Sequence, residues 1–421
     1  MAAGTGSAET APEGKEAIRV CNVPGRGAAP DSVSGIGRSS QTFPHALYVH
    51  IPFCAAFCSY CDFASELYTS ACAQRYLDAL GRELSTRVAE LLPGERFAPR
   101  TVYIGGGTPT VLDIGELERL FDVLWRNADL SRVQEFTVEA NAGSAIAGKL
   151  DLLRRRGVNR ISFGVQSFQP RLLKLLGRIH GPEEGREAVR LARAAGFDNI
   201  SVDLMHGLPT ESLGDLRRDL DEALQLQTEH ISAYGLSYEE GTPLHEAVRL
   251  GRVTPLSPEE EAAHYLAVIE TLEQAGLLQY ETSNFARPGR ESRHNLIYWR
   301  NEAYLGVGAA AASFVQWQRS TNHEDVGEYL RAVEATGKGT AKVEVLDPAA
   351  RAREALILEL RLRRGVDADE FQRRWGFDAL RDCAALHKFL EEGLMERTAD
   401  GRYRISRRGL PVADSILAEF V

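Results

Sequence analysis

Three cysteines in the run His50-Ile51-Pro52-Phe53-Cys54-Ala55-Ala56-Phe57-Cys58-Ser59-Tyr60-Cys61 constrain this chain more than any other feature. Their C-x3-C-x2-C spacing offers three thiolates from one short loop. Iron–sulfur cubes commonly take four thiolates, so a set of three leaves one iron for a ligand that is not protein. Tetrahedral zinc is the competing use of clustered thiols. Zinc sites usually pair one C-x2-C unit with a second elsewhere, and no second pair occurs here. The expectation is a [4Fe-4S] cluster on Cys54, Cys58 and Cys61 with one exchangeable iron.

At 421 residues the chain is long enough for two domains, or for one barrel-sized domain with an appendage. A net charge of −10 argues against general nucleic-acid binding, which needs a basic surface. The remaining cysteines, Cys21, Cys72 and Cys383, follow no disulfide spacing, which points to a reducing, cytosolic setting. Cys72 could reach the cluster as a fourth ligand, although a buried helical thiol is the plainer reading. The apolar stretch from Leu305 to Trp317 is too short and too rich in glycine and alanine to span a bilayer, so any membrane contact would be peripheral. Residues 1–44 are rich in Gly, Ala, Ser and Pro and lack the apolar core of a signal peptide. With Glu9, Glu13, Glu16 and Asp31 they also do not resemble a transit peptide, and are expected to form a disordered tail or an over-extended translation start.

From residue 46 onward, short β-branched or aromatic runs alternate with helical patterns. The strand candidates are Ala46–Pro52, Thr101–Gly105, Glu135–Ala140, Arg160–Gln166, Asn199–His206 and His230–Leu236. Between and after them, apolar residues recur at helical spacing in Tyr76–Leu92, Leu117–Trp125, Leu150–Arg156, Gly185–Ala195, Leu213–Leu226 and Glu259–Ala275. Read as continuous apolar strands, these units imply a parallel sheet covered by helices. Six units are too few to close an eight-stranded barrel, so an α/β fold with an open, partial (β/α)6 barrel is expected over 45–290. Chemistry in such a sheet collects at the carboxyl ends of the strands. A connecting region over 291–340 leads to a small helical domain over 341–421. There, helices at Ala350–Leu362, Asp367–Trp375 and Leu380–Gly393 precede a hairpin that turns at Asp400-Gly401, a winged-helix-like pattern. The acidic company of this module disfavours DNA binding and suggests a lid or docking domain over the barrel mouth.

A cube with three thiolates and one open iron is the mark of proteins that resemble the radical S-adenosylmethionine (SAM) group, where that iron chelates the amino and carboxylate groups of SAM. Gly105-Gly106-Gly107-Thr108-Pro109-Thr110 directly follows the second strand. Alone, a glycine triplet is more often a tight turn; beside such a cluster it is a candidate site for the SAM amino group. Glu139, Gln166 and Asp203 stand at or near the ends of successive strands, and Arg178 follows on the next helix. Each could simply bond loop backbone, but together they point to a common site. Ser292-Arg293-His294-Asn295-Leu296-Ile297-Tyr298-Trp299 sets a histidine beside an amide and two aromatics. Haem iron takes histidine axially and aromatics pack on porphyrin faces. On its own, a histidine here reads first as a structural hydrogen-bonder.

With these residues in view, the chain resembles the oxygen-independent coproporphyrinogen III oxidase family of radical SAM proteins, and within it the haem-chaperone branch. The resemblance runs from about Leu47 to the C-terminus and rests on Tyr48–Cys54, Gly105–Thr110, Phe163–Phe168 and Gly207-Leu208-Pro209. It implies that Cys54, Cys58 and Cys61 bind the cluster and that Tyr48, Gly106 and Glu139 contact the cluster-bound SAM. Gly107, Thr108, Gln166, Arg178 and Asp203 match positions that hold a second SAM in the oxidase. True oxidases carry a further cysteine two residues after the third ligand, where this chain has Phe63. The chaperone branch carries H-N-x-x-Y-W, here His294–Trp299, implicated in haem handling. Two departures stand out. Relatives often have histidine within the stretch that here reads Gly308-Ala309-Ala310-Ala311-Ala312-Ser313, and often tyrosine where His206 stands.

The expectation is therefore a chaperone that carries a [4Fe-4S] cluster and SAM, binds haem near His294 and passes it to a membrane haemoprotein. The alternative is an enzyme that decarboxylates two propionates of coproporphyrinogen III through a 5′-deoxyadenosyl radical. Phe63 argues against the enzyme, which ranks second.

Overall fold

The structure, a computed structural model, describes residues 43–376 and 383–420. Most of the expected N-terminal tail, 1–42, lies outside the described residues. Ala46–Ile51 (β1), Thr101–Gly106 (β2), Glu135–Asn141 (β3), Arg160–Gln166 (β4), Ile200–His206 (β5) and His230–Gly235 (β6) pair in chain order, each parallel to the next. The helices that return the chain are Ser70–Leu91 (α1), Ile114–Asn127 (α2), Ala147–Arg155 (α3), Pro182–Ala194 (α4), Leu213–Gln225 (α5) and Pro258–Gln274 (α6). Helix starts follow local chemistry. Asp113 with Glu116, Ser212 with Asp215 and Ser257 with Glu260 form reciprocal capping boxes at α2, α5 and α6.

The strands are not uniformly apolar, as the sequence reading supposed; they alternate. Leu47, Val49, Ile51, Val102, Ile104, Phe136, Val138, Ile161, Phe163, Val165, Val202, Leu204 and Ile231 face the helices and join the main core. Each large apolar side chain so buried contributes roughly 1.5–3 kcal/mol. The intervening positions, among them Tyr103, Glu139, Arg160, Ser162, Asp203 and Ser232, face the barrel interior. A strand period of two separates these faces, and the interior face is polar because it encloses a cavity.

The sheet also continues past the six strands. Beyond β6 lie Leu278–Gln279 (β7) and Asn284–Ala286 (β8), both antiparallel to their neighbours. On the opposite side Tyr304–Val307 (β9) pairs parallel to β1, followed by antiparallel Ala312–Val315 (β10), Gln318–Asn322 (β11) and Thr340–Val345 (β12). The segment 291–340, expected as a connector, thus supplies part of the sheet, and the sheet runs on to Val345. These added strands are anchored by Glu83 of α1, which is 1% exposed. Its carboxylate accepts from Gly308 N (2.8 Å), Tyr329 OH (2.8 Å), Asn322 Nδ2 (2.7 Å) and Gly339 N (3.1 Å).

In the C-terminal module, helices Pro348–Leu360, Ala368–Trp375 and Ala384–Glu391 precede the hairpin of Met395–Arg397 with Tyr403–Ile405. The beginning of the third expected helix, 380–382, lies outside the described residues. Leu356, Phe371, Leu386 and Ile416 share one apolar core with the barrel helices. Arg361 stacks on Trp299 (5.7 Å), and Arg374 donates to the Arg300 carbonyl (2.7 Å). Among the described residues, none of this module lines the barrel cavity. The expected lid over the mouth is therefore corrected: the module's apolar face is buried against the helix layer and the segment 293–300.

Candidate cofactor site

Cys54 follows β1 in a short parallel pairing of Phe53–Cys54 with Glu66–Leu67. Glu66 N to Pro52 O (2.7 Å) and Tyr68 N to Cys54 O (2.9 Å) close the intervening residues into a loop. Ser59 ties that loop to the chain after β4, its N to Leu176 O (3.0 Å) and its Oγ to Leu175 O (2.8 Å). A buried relay supports it from beneath: Tyr48 OH bonds His50 Nδ1 (3.0 Å), and His50 Nε2 bonds the Ala64 carbonyl (3.0 Å). The loop thereby brings the partly exposed thiols of Cys54, Cys58 and Cys61 to one cavity of about 670 Å³ at the carboxyl ends of the strands. Burial pushes the Cys54 and Cys61 thiols up, whereas a coordinated metal deprotonates a thiol. Cys72 stands apart on α1, its thiol bonded to Glu66 Oε2 (3.7 Å).

The glycine run crosses directly behind this loop. A Cβ on Gly107 would lie 2.7 Å from Phe53 O and 2.9 Å from Cys54 Sγ. At Gly106, where φ is +112°, it would lie 2.7 Å from the His50 ring. Glycine is required here by the closeness of the cysteine loop. Gly107, Thr108, Gln166, Arg178 and Asp203 line the cavity together with Gly106 and Glu139. Thr108 Oγ1 lies 3.9 Å from Cys54 Sγ. Arg178 donates to Cys58 Sγ (3.3 Å) and to the Gly164 carbonyl (2.6 Å). Gln166 holds φ +71°, a strained conformation at the end of β4.

Glu139 accepts from Tyr103 OH (2.6 Å) and Gly106 N (3.1 Å). Burial, which outweighs both bonds, pushes its carboxyl up to about 7. Asp203, also raised by burial, accepts from Ser162 Oγ (3.1 Å). Arg160 is 2% exposed and lines the same cavity; its Nε has no hydrogen-bond partner in the protein. Three thiols, two guanidinium groups and two strand carboxylates lining one cavity fit an anionic cluster with a ligand that, like SAM, carries a sulfonium, an ammonium and a carboxylate.

Tyr48 and His294 are the two expected site residues that do not line the cavity. His294 is 0% exposed, its Nδ1 on Thr101 Oγ1 (2.8 Å) and its Nε2 on Tyr298 OH (2.8 Å). Burial holds its imidazole down at about 3. The neighbouring Asn295 does reach the cavity wall.

Sequence reasoning missed Tyr103, His50, Arg160 and an apolar mouth formed by Phe57, Phe63, Ile179 and Tyr234. Phe63 and Ile179 are 65% and 64% exposed, although both are large and apolar. The signal for Tyr103 was available: Thr101, Tyr103 and Gly105 alternate with Val102 and Ile104.

Comparison with known proteins agrees with this geometry. The Radical SAM superfamily matches residues 48–223, and the HemN C-terminal domain matches 346–412. Heme chaperone HemW of Bacillus subtilis (strain 168) is 36% identical over 380 residues, covering 89% of this chain and 98% of that protein. Heme chaperone HemW of Escherichia coli (strain K12) is 39% identical over 311 residues, 70% of this chain and 80% of that one. The solved structure of coproporphyrinogen III oxidase (HemN) from Escherichia coli, a radical SAM enzyme, has the same fold, with a TM-score of 0.78 at 24% identity over 90% of each chain. The superfamily implies a [4Fe-4S] cluster and SAM. With one relative matched along almost its whole length, the chain belongs to the radical SAM superfamily and, within it, to the HemW family.

Proposed function

We propose that this chain is a haem chaperone: it carries a [4Fe-4S] cluster on Cys54, Cys58 and Cys61, binds SAM and haem, and hands haem to a haemoprotein, a membrane one among the candidates. The observation that carries this reading is the apolar mouth of the thiol-lined cavity, in a chain whose relatives are haem chaperones. Phe57, Phe63 and Ile179 are each more than half exposed there. A large exposed apolar rim marks a ligand or partner surface, and it suits the flat face of a porphyrin. No described helix is long and apolar enough to cross a membrane.

Within the cavity, Gly106, Glu139 and, through His50, Tyr48 are assigned to the SAM bound at the open iron. Gly107, Thr108, Gln166, Arg178 and Asp203 are assigned to a second ligand position on the same wall. A reduced cluster with SAM bound supplies one-electron chemistry. The residues of this chain hold and orient: Arg178 places a positive charge on the Cys58 sulfur, and Glu139 offers a carboxylate fixed by two donors. The proposed haem ligand is His294. In the conformation described His294 is buried beside the first residues of β2 and β3 and does not line the cavity. Both its ring nitrogens are engaged, so ligation of a porphyrin on the mouth requires its release from Thr101 or Tyr298 and displacement of the segment 293–299.

The test is an anaerobic incubation of cluster-loaded protein with SAM, a reductant and coproporphyrinogen III, beside an authentic oxidase. No decarboxylated porphyrinogen is expected while the control turns over. Protoporphyrinogen formed over many turnovers would make the chain an oxidase and overturn the chaperone reading.

A further inference from the structure

The helix that bears the H-N-x-x-Y-W motif, Arg293–Trp299 (α7), is wired into the wall of the SAM cavity. Glu135, the first residue of β3, accepts from Arg293 N (2.9 Å) and His294 N (2.9 Å) and so fixes the start of α7. Four residues further along the same strand stands Glu139. The His294 imidazole is bonded to Thr101, the first residue of β2, and lies on the ring of Tyr103, two residues on (centroids 5.2 Å apart, planes 31° apart). The Tyr103 hydroxyl in turn donates to Glu139 Oε1 (2.6 Å), and the other Glu139 oxygen holds Gly106 N (3.1 Å). One tyrosine therefore touches the motif histidine with its ring and the cavity carboxylate with its hydroxyl.

We propose that Tyr103 is a positioning residue that couples the SAM site to α7, so that SAM held at Glu139 locks His294 in its buried place, and release of His294 weakens SAM. The inference rests on the assignment of Glu139 to SAM. A ligand that fixes the Glu139 carboxylate fixes its donor Tyr103, and the Tyr103 ring is one wall of the His294 pocket. Departure of His294 strips the imidazole from the Tyr103 ring and frees Tyr103 to leave Glu139. Such coupling is reciprocal: whatever factor SAM imposes on release of His294, release imposes on SAM affinity. Because one buried hydrogen bond carries it, the factor is about two- to tenfold.

The experiment uses the full cluster-loaded chain, with amide hydrogen exchange of 293–299 followed by mass spectrometry with and without saturating SAM. SAM binding itself is measured separately by equilibrium dialysis. Wild-type protein is expected to exchange about two- to tenfold more slowly across 293–299 when SAM is bound. Tyr103→Phe keeps the ring on His294 but removes the bond to Glu139, and its exchange in 293–299 is expected to lose the response to SAM while it still takes up the cluster. SAM bound by wild type with exchange in 293–299 unchanged would overturn the coupling, as would an undiminished response in Tyr103→Phe. No SAM bound by wild type would overturn the SAM assignment itself, and the coupling with it. The readout needs no haem, so failure to bind haem would leave it intact.

Discussion

Replacement of any one of Cys54, Cys58 and Cys61 by alanine is expected to abolish the iron–sulfur absorbance and reduce bound iron to background after anaerobic reconstitution. Each thiolate serves a different iron of the cube, so losing one leaves two irons without protein ligands rather than one. The fold offers no replacement. Among the described cysteines, no other lines the cavity, and Cys72 is bonded to Glu66 on α1. The loop itself should survive each substitution, because backbone bonds at Cys54, Ser59 and Glu66 close it without the thiols. Circular dichroism and thermal midpoint of the apo variants should therefore match apo wild type. Four irons per chain in any of the three variants would exclude that cysteine from the ligand set.

The second large effect concerns stability and lies far from the cluster. Glu83→Ala is expected to cost several kcal/mol, because each buried donor left without a partner costs about 1–3 kcal/mol. The substitution would strand Gly308 N, Gly339 N, Asn322 Nδ2 and the Tyr329 hydroxyl, all donors to this one carboxylate. These donors belong to the segment that carries β9 through β12, so the loss should loosen that edge from α1 first. Urea unfolding should show the lower midpoint, and proteolysis should cut first within 308–340. Glu83→Gln keeps an acceptor oxygen and should lose clearly less. Equal stability of Glu83→Ala and wild type would show that the network carries no net weight.

Much of the barrel was legible because its signals are local and repeated. Each of the six parallel strands begins and ends within two residues of its expected bounds, since β-branched and aromatic runs stand between capped amphipathic helices. What the strands do was less legible. Reading them as continuous apolar runs overlooked Tyr103, Arg160 and Ser162, which border a cavity, the Tyr103 and Ser162 hydroxyls being bonded to its carboxylates. The added strands escaped for a different reason. Gln318-Arg319-Ser320-Thr321-Asn322 has no apolar alternation and is held in the sheet by pairing and by Glu83.

The candidate site divides in the same way. Cys54, Cys58 and Cys61 are a contiguous motif that spacing alone proposes, whereas the glycine run becomes a candidate only from its place after a strand beside them. The function of the glycines was read too narrowly, because a contact with Cys54 and His50 cannot be seen before the fold is known. His294 illustrates the limit most clearly. Taken alone it reads as a structural hydrogen-bonder, and its geometry is of that kind; only the resemblance raised it to a haem residue.

The central claim is that this chain binds haem as a chaperone, and the direct measurement is an anaerobic titration of the cluster-loaded protein with haem, followed by absorbance. The account predicts a saturable shift of the haem Soret band at one haem per chain, with weaker binding and an altered spectrum in His294→Ala. Haem absorbance that rises without saturation, as for free haem in buffer, would contradict it.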